Sequence, residues 1–289
     1  MYDLLIAPFV DYVFLQRALA GCVLLCISSG PVGVFLMLRR MSLTGDALAH
    51  GILPGAAVAF LFFGLELAPM TIGGLAAGLL LAMLAGAVSR LTLQKEDASL
   101  AAFYLISLSA GVLIVSMHGS NVDLMHILFG SVLALNDQAL TLIAGIFVVS
   151  TVGLVLFWRG LVAECLDPLF FRSVSRLGTP IHFAFLFMVV LNLVGGFQAL
   201  GTLLSVGLMM LPAASARFWV NRVGPMCALA ILFGIVSSVA GLLLSYHAAL
   251  PSGPAIILFC GGIYVLSILA SPRGLAVTYG RRTRPHRAT

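Results

Sequence analysis

The sequence predicts an all-α polytopic membrane protein with about eight or nine transmembrane helices, and three observations support this fold class. Of its 289 residues, 61% are hydrophobic and 9% are charged, whereas soluble domains carry about 25% charged residues. Apolar runs of about 20 residues, enough to cross a bilayer as a helix, recur along the whole chain. The alternating strand patterns of an outer-membrane barrel are absent.

Nine apolar segments predict nine spans, which would form one transmembrane domain over residues 1–271. The segments lie at 14–38, 47–65, 70–90, 102–118, 140–158, 181–198, 202–219, 224–246 and 254–271. Only the letters "ALGT" separate the sixth segment from the seventh, so this division is the least marked. Eight spans are the alternative, if one of the short segments is re-entrant. Residues 272–289 would form a basic tail.

Basic residues fall in every second connection, and the positive-inside rule converts this pattern into an orientation. They follow the first, third, fifth, seventh and ninth segments, at Arg39, Arg40, Arg90, Lys95, Arg159, Arg172, Arg176, Arg217, Arg222 and in the tail from Arg273. The alternate connections, near 64–70, 119–138, 199–201 and 247–253, contain no Arg or Lys. We therefore expect the N-terminus outside and the tail in the cytoplasm, where its charge attracts anionic membrane lipid. Nucleic acid is not needed as a partner.

Several nucleotide-binding and catalytic motifs are missing from the sequence. Lys95 is the single lysine and is followed by Glu96, so the Gly-Lys-Ser/Thr sequence of an ATP-binding P-loop does not occur. The five cysteines include no Cys-x-x-Cys pair, so neither a disulfide framework nor a structural zinc site is indicated. His-Glu-x-x-His and Gly-x-Ser-x-Gly are also absent. The sequence therefore predicts neither an enzyme nor a tightly bound cofactor.

The strongest candidate site is the pair Asp46 and His50, near the head of the second apolar segment. Ionisable side chains within spans are costly and usually mark a pathway or a site. A spacing of four places both on one helical face. At about 1.5 Å per residue from Met41, they would lie about 8 Å and about 14 Å deep. A carboxylate and an imidazole at this spacing form half of a site for Zn²⁺, Mn²⁺ or Fe²⁺.

A second interpretation of the pair needs no metal. Asp46 would cap the helix near Thr44, and His50 would form a hydrogen bond with a neighbouring carbonyl group. The letters "HGILPG" add a feature that favours a site, because Pro54 cannot donate a hydrogen bond to the His50 carbonyl. Broken helices of this kind are common around transport sites.

Weaker candidates lie elsewhere in the chain. Asp123 and His126 are three residues apart in the predicted external stretch "NVDLMHILFG", where they either attract a cation or belong to a solvated loop. Asn192 and Gln198 either join helices through hydrogen bonds or line a path.

The cytoplasmic connection at 159–180, "RGLVAECLDPLFFRSVSRLGTP", differs from the others because it is long and mixes charges of both signs with two phenylalanines. Asp167 followed by Pro168 is typical of a helix start, and Gly178 of a helix end. The short amphipathic helix that they predict either lies on the membrane surface or docks a cytoplasmic partner. The exposed aromatic pair favours docking.

Five stretches carry a resemblance to a known family that extends over nearly the whole chain. They are "LRRMSLTGDALAHGILPGAAVAFLFFG", "LMHILFGSVLALNDQ", "LDPLFFRSVSRLG", "VGLMMLPAASARFW" and "SYHAALPSGPAIILF". In this order they resemble the permease subunits of bacterial zinc, manganese and iron ATP-binding-cassette importers, the metal-ABC-3 family. Together the stretches are highly specific, whereas any one alone would be weak.

The resemblance implies a type II importer fold in the bacterial inner membrane. The partners that it implies are a second copy of the chain, a cytoplasmic ABC ATPase that binds the ATP, and an external or periplasmic metal-binding protein. Asp46 and His50 match the positions associated with metal passage. The positions that match the ATPase-coupling element are Glu164, Asp167, Pro168, Phe170, Arg172 and Gly178. Gln198, where such permeases are more often apolar, and His126 depart from the pattern.

The expected function is import of a divalent transition metal, with zinc preferred to manganese or iron. A stand-alone, proton-coupled metal transporter is the alternative from another class, and it would use the same Asp and His without an ATPase. An intramembrane metalloenzyme would need at least three convergent ligands and a general base, and the sequence offers no such cluster.

Overall fold

The computed structural model describes residues 7–64, 66–117, 132–166, 171, 175 and 178–273, and over these ranges the secondary structure is helical. A short 3₁₀ helix, Val132–Ala134, precedes α7. The α-helices are α1 (Ala7–Asp11), α2 (Val13–Leu38), α3 (Ser42–Gly51), α4 (Leu53–Phe63), α5 (Leu67–Leu91), α6 (Glu96–Met117), α7 (Asp137–Leu166), α8 (Gly178–Leu200), α9 (Thr202–Trp219), α10 (Val223–Ala248) and α11 (Ser252–Ala270).

Within these described ranges, nine stretches are long and apolar enough to cross a membrane, which confirms the predicted fold class. Helices α3 and α4 together form the second stretch, Ser42–Phe63. The division within "ALGT" is also confirmed, because Gly201 adopts φ 88° between α8 and α9. This left-handed conformation carries no steric cost for glycine. The described helices therefore fit nine spans rather than eight.

Contacts between helix ends agree with the alternating direction of the spans. Arg17, near the start of α2, forms an ion pair with Asp137, at the start of α7, at 2.8 Å. Arg217, near the end of α9, donates to the Met37 carbonyl, near the end of α2, at 3.5 Å. Each contact joins two ends that the alternation assigns to the same side of the membrane.

Helices α2 and α8 lie at the centre of the helical bundle. In their most apolar windows, 72% and 78% of the residues are buried, more than in the other candidate spans. Phe35 of α2 packs edge-on against Trp158 of α7 and Phe185 of α8, with ring centroids 5.4 Å and 6.4 Å apart. The outer helices thus surround an aromatic centre close to one end of α2.

Small residues allow the helices to approach closely. A Cβ atom added to Gly33 of α2 would overlap with the carbonyl oxygen of Met209 in α9. Gly55 of α4 and Gly73 of α5 face each other in the same way, each against the other's carbonyl group. Such contacts supply van der Waals packing between helices in lipid, where no hydrophobic effect drives association.

A tight turn of three residues joins α2 to α3. Arg40 donates its backbone N–H to the Met37 carbonyl at 3.1 Å, and Met41 donates to the Leu36 carbonyl at 3.0 Å. This pattern is a Schellman motif, in which the residue after the C-cap is left-handed and usually glycine. Here that residue is Arg40, with φ 60°. The turn fixes the start of α3 relative to the end of α2.

The predicted connection at 159–180 is shorter in the structure, because α7 continues to Leu166. Leu161 is fully buried and prolongs the packed face of the helix beyond the predicted end of the span. Gly178, predicted to end a coupling helix, instead begins α8 together with Pro180. Proline is tolerated there because the first turn of a helix has no internal partner for its N–H groups.

Substitution of Gly33 by alanine tests the close contact between α2 and α9. Gly145, in α7, has nothing within 4 Å of an added Cβ atom and provides a matched helical control. We expect G33A to lower the free energy of unfolding by about 1–3 kcal/mol through overpacking, whereas G145A leaves it unchanged or raises it. Thermal unfolding in detergent measures both. Equal melting temperatures would contradict the packing described here.

Candidate functional site

Asp46 and His50 lie on α3, the short helix that follows the first span. Their side chains share one face, and His50 Nε2 is 3.7 Å from Asp46 Oδ1. This separation is longer than a hydrogen bond, so both atoms have room to approach a common ion. The Asp46 side chain is 62% exposed and the His50 side chain 29% exposed. The pair therefore opens onto the surface of the protomer.

The helix-cap interpretation of Asp46 does not fit the structure. Helix α3 begins at Ser42 with Met41 as its N-cap residue, and no side chain caps its first turn. Asp46 is the fifth residue of the helix, beyond the amides that an N-cap side chain reaches. Thr44, near which the cap was expected, donates its hydroxyl group to Asp97 Oδ1 of α6 at 3.2 Å.

The span lacks one helical hydrogen bond directly after the pair, because Pro54 has no N–H to donate to the His50 carbonyl. Helix α3 ends at Gly51, and α4 begins at Leu53 with Pro54 in its first turn. Ser107 of α6 donates to the Gly51 carbonyl at 3.0 Å and so provides a polar contact at this point. Ile52 keeps a helical backbone with φ −73° and ψ −29°, and its N–H donates to the Leu48 carbonyl at 3.1 Å, so the helical course continues from α3 into α4.

The pair on its own is an incomplete metal site. No cluster of three or more His, Cys, Asp or Glu side chains that could hold a metal occurs among the residues that the structure describes. Protein zinc sites generally use three or four protein ligands. Tyr104 of α6 lies beside His50, with ring centroids 6.4 Å apart. The described part of one protomer therefore supplies two of the ligands that such a site would need.

A second polar cluster, which the sequence analysis did not predict, lies where the ends of α2 and α7 meet the start of α8. Arg39 donates from Nη2 to Glu164 Oε2 at 2.7 Å, and its Nη1 is 3.3 Å from His182 Nδ1. A guanidinium group only donates, so His182 accepts in this contact. The three side chains are 6%, 4% and 7% exposed, respectively. We call this cluster the cytoplasmic ion network.

Aromatic side chains enclose the cytoplasmic ion network. The guanidinium carbon of Arg39 lies 4.2 Å from the centre of the Phe185 ring. Such a cation–π contact contributes about 2 kcal/mol when it is desolvated. Removal of one partner from a buried ion pair costs about 3–5 kcal/mol, because the other charge stays buried. The network therefore holds the ends of three helices in one arrangement.

The sequence did not predict that Arg39 and Glu164 form a buried ion pair. Arg39 was interpreted only as a cytoplasmic anchor, and Glu164 as part of an ATPase-coupling loop. The structure instead buries Glu164 in the last turns of α7. The signal that could have found it is the continuing helical pattern of "LVAECL". No local pattern identifies a partner that is 125 residues away.

Other predicted residues have different outcomes. Asp123, His126, Asp167, Pro168, Phe170 and Arg172 lie outside the described residues, as does the side chain of Gln198. Phe171 is half-buried and packs against the central hydrophobic cluster, so it is not the exposed aromatic residue that was expected.

Asn192 donates to Ser150 Oγ of α7 at 2.8 Å and to the Met188 carbonyl at 2.8 Å. Asn192 thus joins two helices, as one of its two interpretations predicted.

One family model matches the sequence over nearly all of its described helices. The matched residues are 11–271, and the model is that of the ABC 3 transport family. This chain belongs to that family. Membership in the ABC 3 family confirms the resemblance carried by the five sequence stretches.

Relatives of this ABC 3 protein align over almost its whole length. It is 34% identical to the manganese transport system membrane protein MntC of Halalkalibacterium halodurans, over 97% of this chain and 96% of that protein. It is 33% identical to the zinc transport system membrane protein TroC of Treponema pallidum, over 96% and 95%. The structure of PsaBC from Streptococcus pneumoniae in complex with Fab is similar, with TM-score 0.84 and 29% identity, over 97% of this chain and 100% of that one.

The ABC 3 protein is therefore a permease of a metal ABC transporter and a multi-pass protein of the cell membrane. Its relatives are transport components rather than enzymes. The cytoplasmic ion network and the Asp46/His50 pair both adjoin the turn between α2 and α3 of this permease.

Proposed function

We propose that this ABC 3 permease imports a divalent transition metal, manganese or zinc, and that Asp46 and His50 bind the ion during its passage. The observation that carries the proposal is the pair itself, with one carboxylate and one imidazole on the same face of α3, 3.7 Å apart. Charged groups in a span are energetically costly, so their presence usually marks a site or a pathway. The cargo is a substrate, so the site must release the ion as well as bind it.

The metal preference differs from the one expected from the sequence alone. The sequence analysis favours zinc. The names of relatives from several bacteria specify manganese, however, and the name of TroC specifies zinc. Oxygen and imidazole ligands suit both ions. Manganese is therefore at least as well supported as zinc for this chain, and iron is a third ion that the same ligands accept.

A second copy of the chain is the proposed source of the missing ligands. Leu43, Asp46 and His50 follow one another at helical spacing on one face of α3, and Leu43 is 75% exposed. A carboxylate on this face would contact lipid if nothing covered it, and lipid does not solvate charge. Two copies that meet through this face around a two-fold axis would bring four ligands together. That number suits a tetrahedral site.

Energy for import would come from a separate ATPase subunit, because this chain contains no Gly-Lys-Ser/Thr sequence. We place the contact with that subunit at residues 167–177, between α7 and α8, on the side that the arginines assign to the cytoplasm. A metal-binding protein on the opposite side would deliver the ion. Closure of the ATPase subunits would then move the spans and alternate access to the pair.

Reconstituted uptake tests this function. The permease is placed in liposomes with its ATPase and its binding protein, and the uptake of Mn²⁺ and of Zn²⁺ is measured with and without ATP. We expect ATP-dependent uptake of at least one of the two ions. Uptake by the permease alone, driven by a proton gradient, would instead indicate a stand-alone secondary transporter and would contradict the proposal.

Substitution of the pair tests the site within the same assay. We expect D46A and H50A each to lower uptake by about a hundredfold or more, because even the loss of a group that only supports a metal ligand costs about 10–100-fold. D137A and H247A remove the same residue types at the opposite ends of other spans and should import normally. Normal uptake by an assembled D46A or H50A complex would exclude these residues as ligands.

Oxidative cross-linking tests the role of a second copy. A cysteine introduced as L43C lies on the face proposed to meet its partner, so mild oxidation should yield a covalent dimer. Leu91, which is 85% exposed at the cytoplasmic end of α5, provides the matched control L91C. We expect the dimer band on a non-reducing gel with L43C and not with L91C. Equal cross-linking, or none with L43C, would contradict the interface.

A further inference from the structure

A cavity of about 670 Å³ lies where the ends of α2, α9 and α11 meet the start of α10. Met37 of α2, Arg217 of α9, Met226 of α10 and Tyr264 of α11 are among the residues that line it. The alternation of the spans assigns this end of the bundle to the cytoplasm. The volume lies within the range of pockets that hold small molecules. We call it the α9–α11 cavity.

Two arginines and no acidic residue line the α9–α11 cavity. Arg217 donates from Nη1 to the Met37 carbonyl at 3.5 Å, and Arg273 donates from Nη1 to the Arg217 carbonyl at 3.4 Å. These bonds hold both guanidinium groups at the cavity, but a carbonyl group does not neutralise a charge. Each guanidinium group has five N–H donors, and the ion pairs among the described residues use other side chains. The cavity therefore has two positive charges and donors that remain for an anion.

The start of α10 adds to this positive potential. Asn221 lines the cavity, and α10 begins two residues later, at Val223. Arg222 is the N-cap residue and its side chain does not cap the helix, so the first amides of α10 have no acceptor within the helix. Helix α10 has 26 residues, and the N-terminus of such a helix carries a partial positive charge. The helix start thus supports the arginines in attracting an anion with several oxygen atoms, such as a phosphate.

The surroundings of the cavity are those of a membrane interface. Trp219 is exposed and donates from Nε1 to Ser267 Oγ of α11 at 3.0 Å. Tyr264 packs against Phe218, with ring centroids 5.9 Å apart. Tryptophan and tyrosine are enriched where the lipid headgroups meet the hydrocarbon core. A ligand in this cavity therefore lies at the depth of the headgroups.

One turn deeper in the membrane, the surface of α11 is apolar and open. A Cβ atom added to Gly261 or Gly262 would have nothing within 4 Å. Gly261 precedes Tyr264 by three residues, so the two lie on the same face of the helix. Leu258 and Val265 are exposed beside them. An acyl chain attached to a headgroup in the cavity has room along this surface, whereas a free phosphate would make no use of it.

We propose that the α9–α11 cavity binds the headgroup of an anionic phospholipid from the cytoplasmic leaflet. Arg217 and Arg273 donate to the phosphate oxygens, and the open surface of α11 receives an acyl chain. Basic pockets between spans on the cytoplasmic side hold such headgroups in other membrane proteins. A lipid bound here contacts four helices together and so stabilises the packing of their cytoplasmic ends. The proposal involves neither the metal nor Asp46 and His50, so it is independent of the proposed function.

Lipid binding to the full-length permease in neutral detergent tests the proposal. Native mass spectrometry counts the phospholipids that the permease retains during titration with phosphatidylglycerol, which is anionic, or with phosphatidylcholine, which has no net charge. The variant R217Q/R273Q removes both charges of the cavity. The variant R159Q/R222Q is the matched control, because it removes two exposed arginines that the alternation also assigns to the cytoplasm and that do not line the cavity.

We expect the unaltered permease to bind one phosphatidylglycerol more tightly than phosphatidylcholine. R217Q/R273Q should lower that affinity about thirtyfold, because each arginine close to an anionic lipid contributes about fivefold. R159Q/R222Q should retain the unaltered affinity. Equal affinity for the two lipids, or an equal loss in both double variants, would mean that the arginines attract lipid without a defined site and would overturn the proposal.

Two further measurements separate the cavity from its charge and the lipid from a free anion. Ala214 of α9 lines the cavity and is half-buried, so A214F fills part of the cavity and leaves both arginines in place. We expect A214F to weaken phosphatidylglycerol binding, and thermal unfolding checks that each variant is folded. Unaltered binding by A214F would contradict the site. Millimolar inorganic phosphate should not displace the lipid, and if it does, the cavity holds a free anion and the assignment to lipid is wrong.

Discussion

A charge within the hydrocarbon core needs a partner in the protein, because lipid does not solvate it and the helix backbone has already used its own hydrogen-bonding groups. The cytoplasmic ion network meets this requirement internally, with Arg39 shared between Glu164 and His182. The Asp46/His50 pair does not, since much of it stays exposed on the protomer. One constraint thus produces a closed cluster that fixes helix ends and an open pair that needs a further partner.

Helix α3 is a short element that packs into the centre of the helical bundle with one face left open. Helices α2 and α8 are the most buried candidate spans, and aromatic rings fill the space between them. Helix α3 begins at a bonded turn, makes polar contacts with α6 at Thr44 and Gly51, and places Leu48 and Ala49 in the central cluster. Its opposite face carries Asp46 and His50, which stay partly exposed.

The spans were predictable from the sequence because each depends on local hydrophobicity and length, which survive without tertiary information. The spacing of Asp46 and His50 likewise determined that the two side chains share a face. The environment of Glu164 was not predictable, since its burial depends on an arginine from another span. Likewise, Gly178 and Pro180 fit a helix end or a helix start equally well, and tertiary packing decided for the start of α8.

The sequence could not predict the number of metal ligands either, because that number also depends on tertiary contacts. Ligands converge in space from different segments, and no local pattern specifies which spans or which copy of the chain meet at one point. The structure narrows this question, because the described part of one protomer contains no third ligand of the usual kinds beside the pair.

The two arginines of the first cytoplasmic turn have different fates. By the positive-inside rule, both contribute to the positive charge that predicts a cytoplasmic location for this turn. In the folded protein Arg39 is buried in the ion network, whereas Arg40 is exposed. Arg40 holds a left-handed backbone with φ 60°, which costs an L-residue about 1–2 kcal/mol that glycine would avoid. The sequence therefore has a strained arginine where glycine would be relaxed, and this arginine keeps a positive charge on the surface of the turn after Arg39 has been buried.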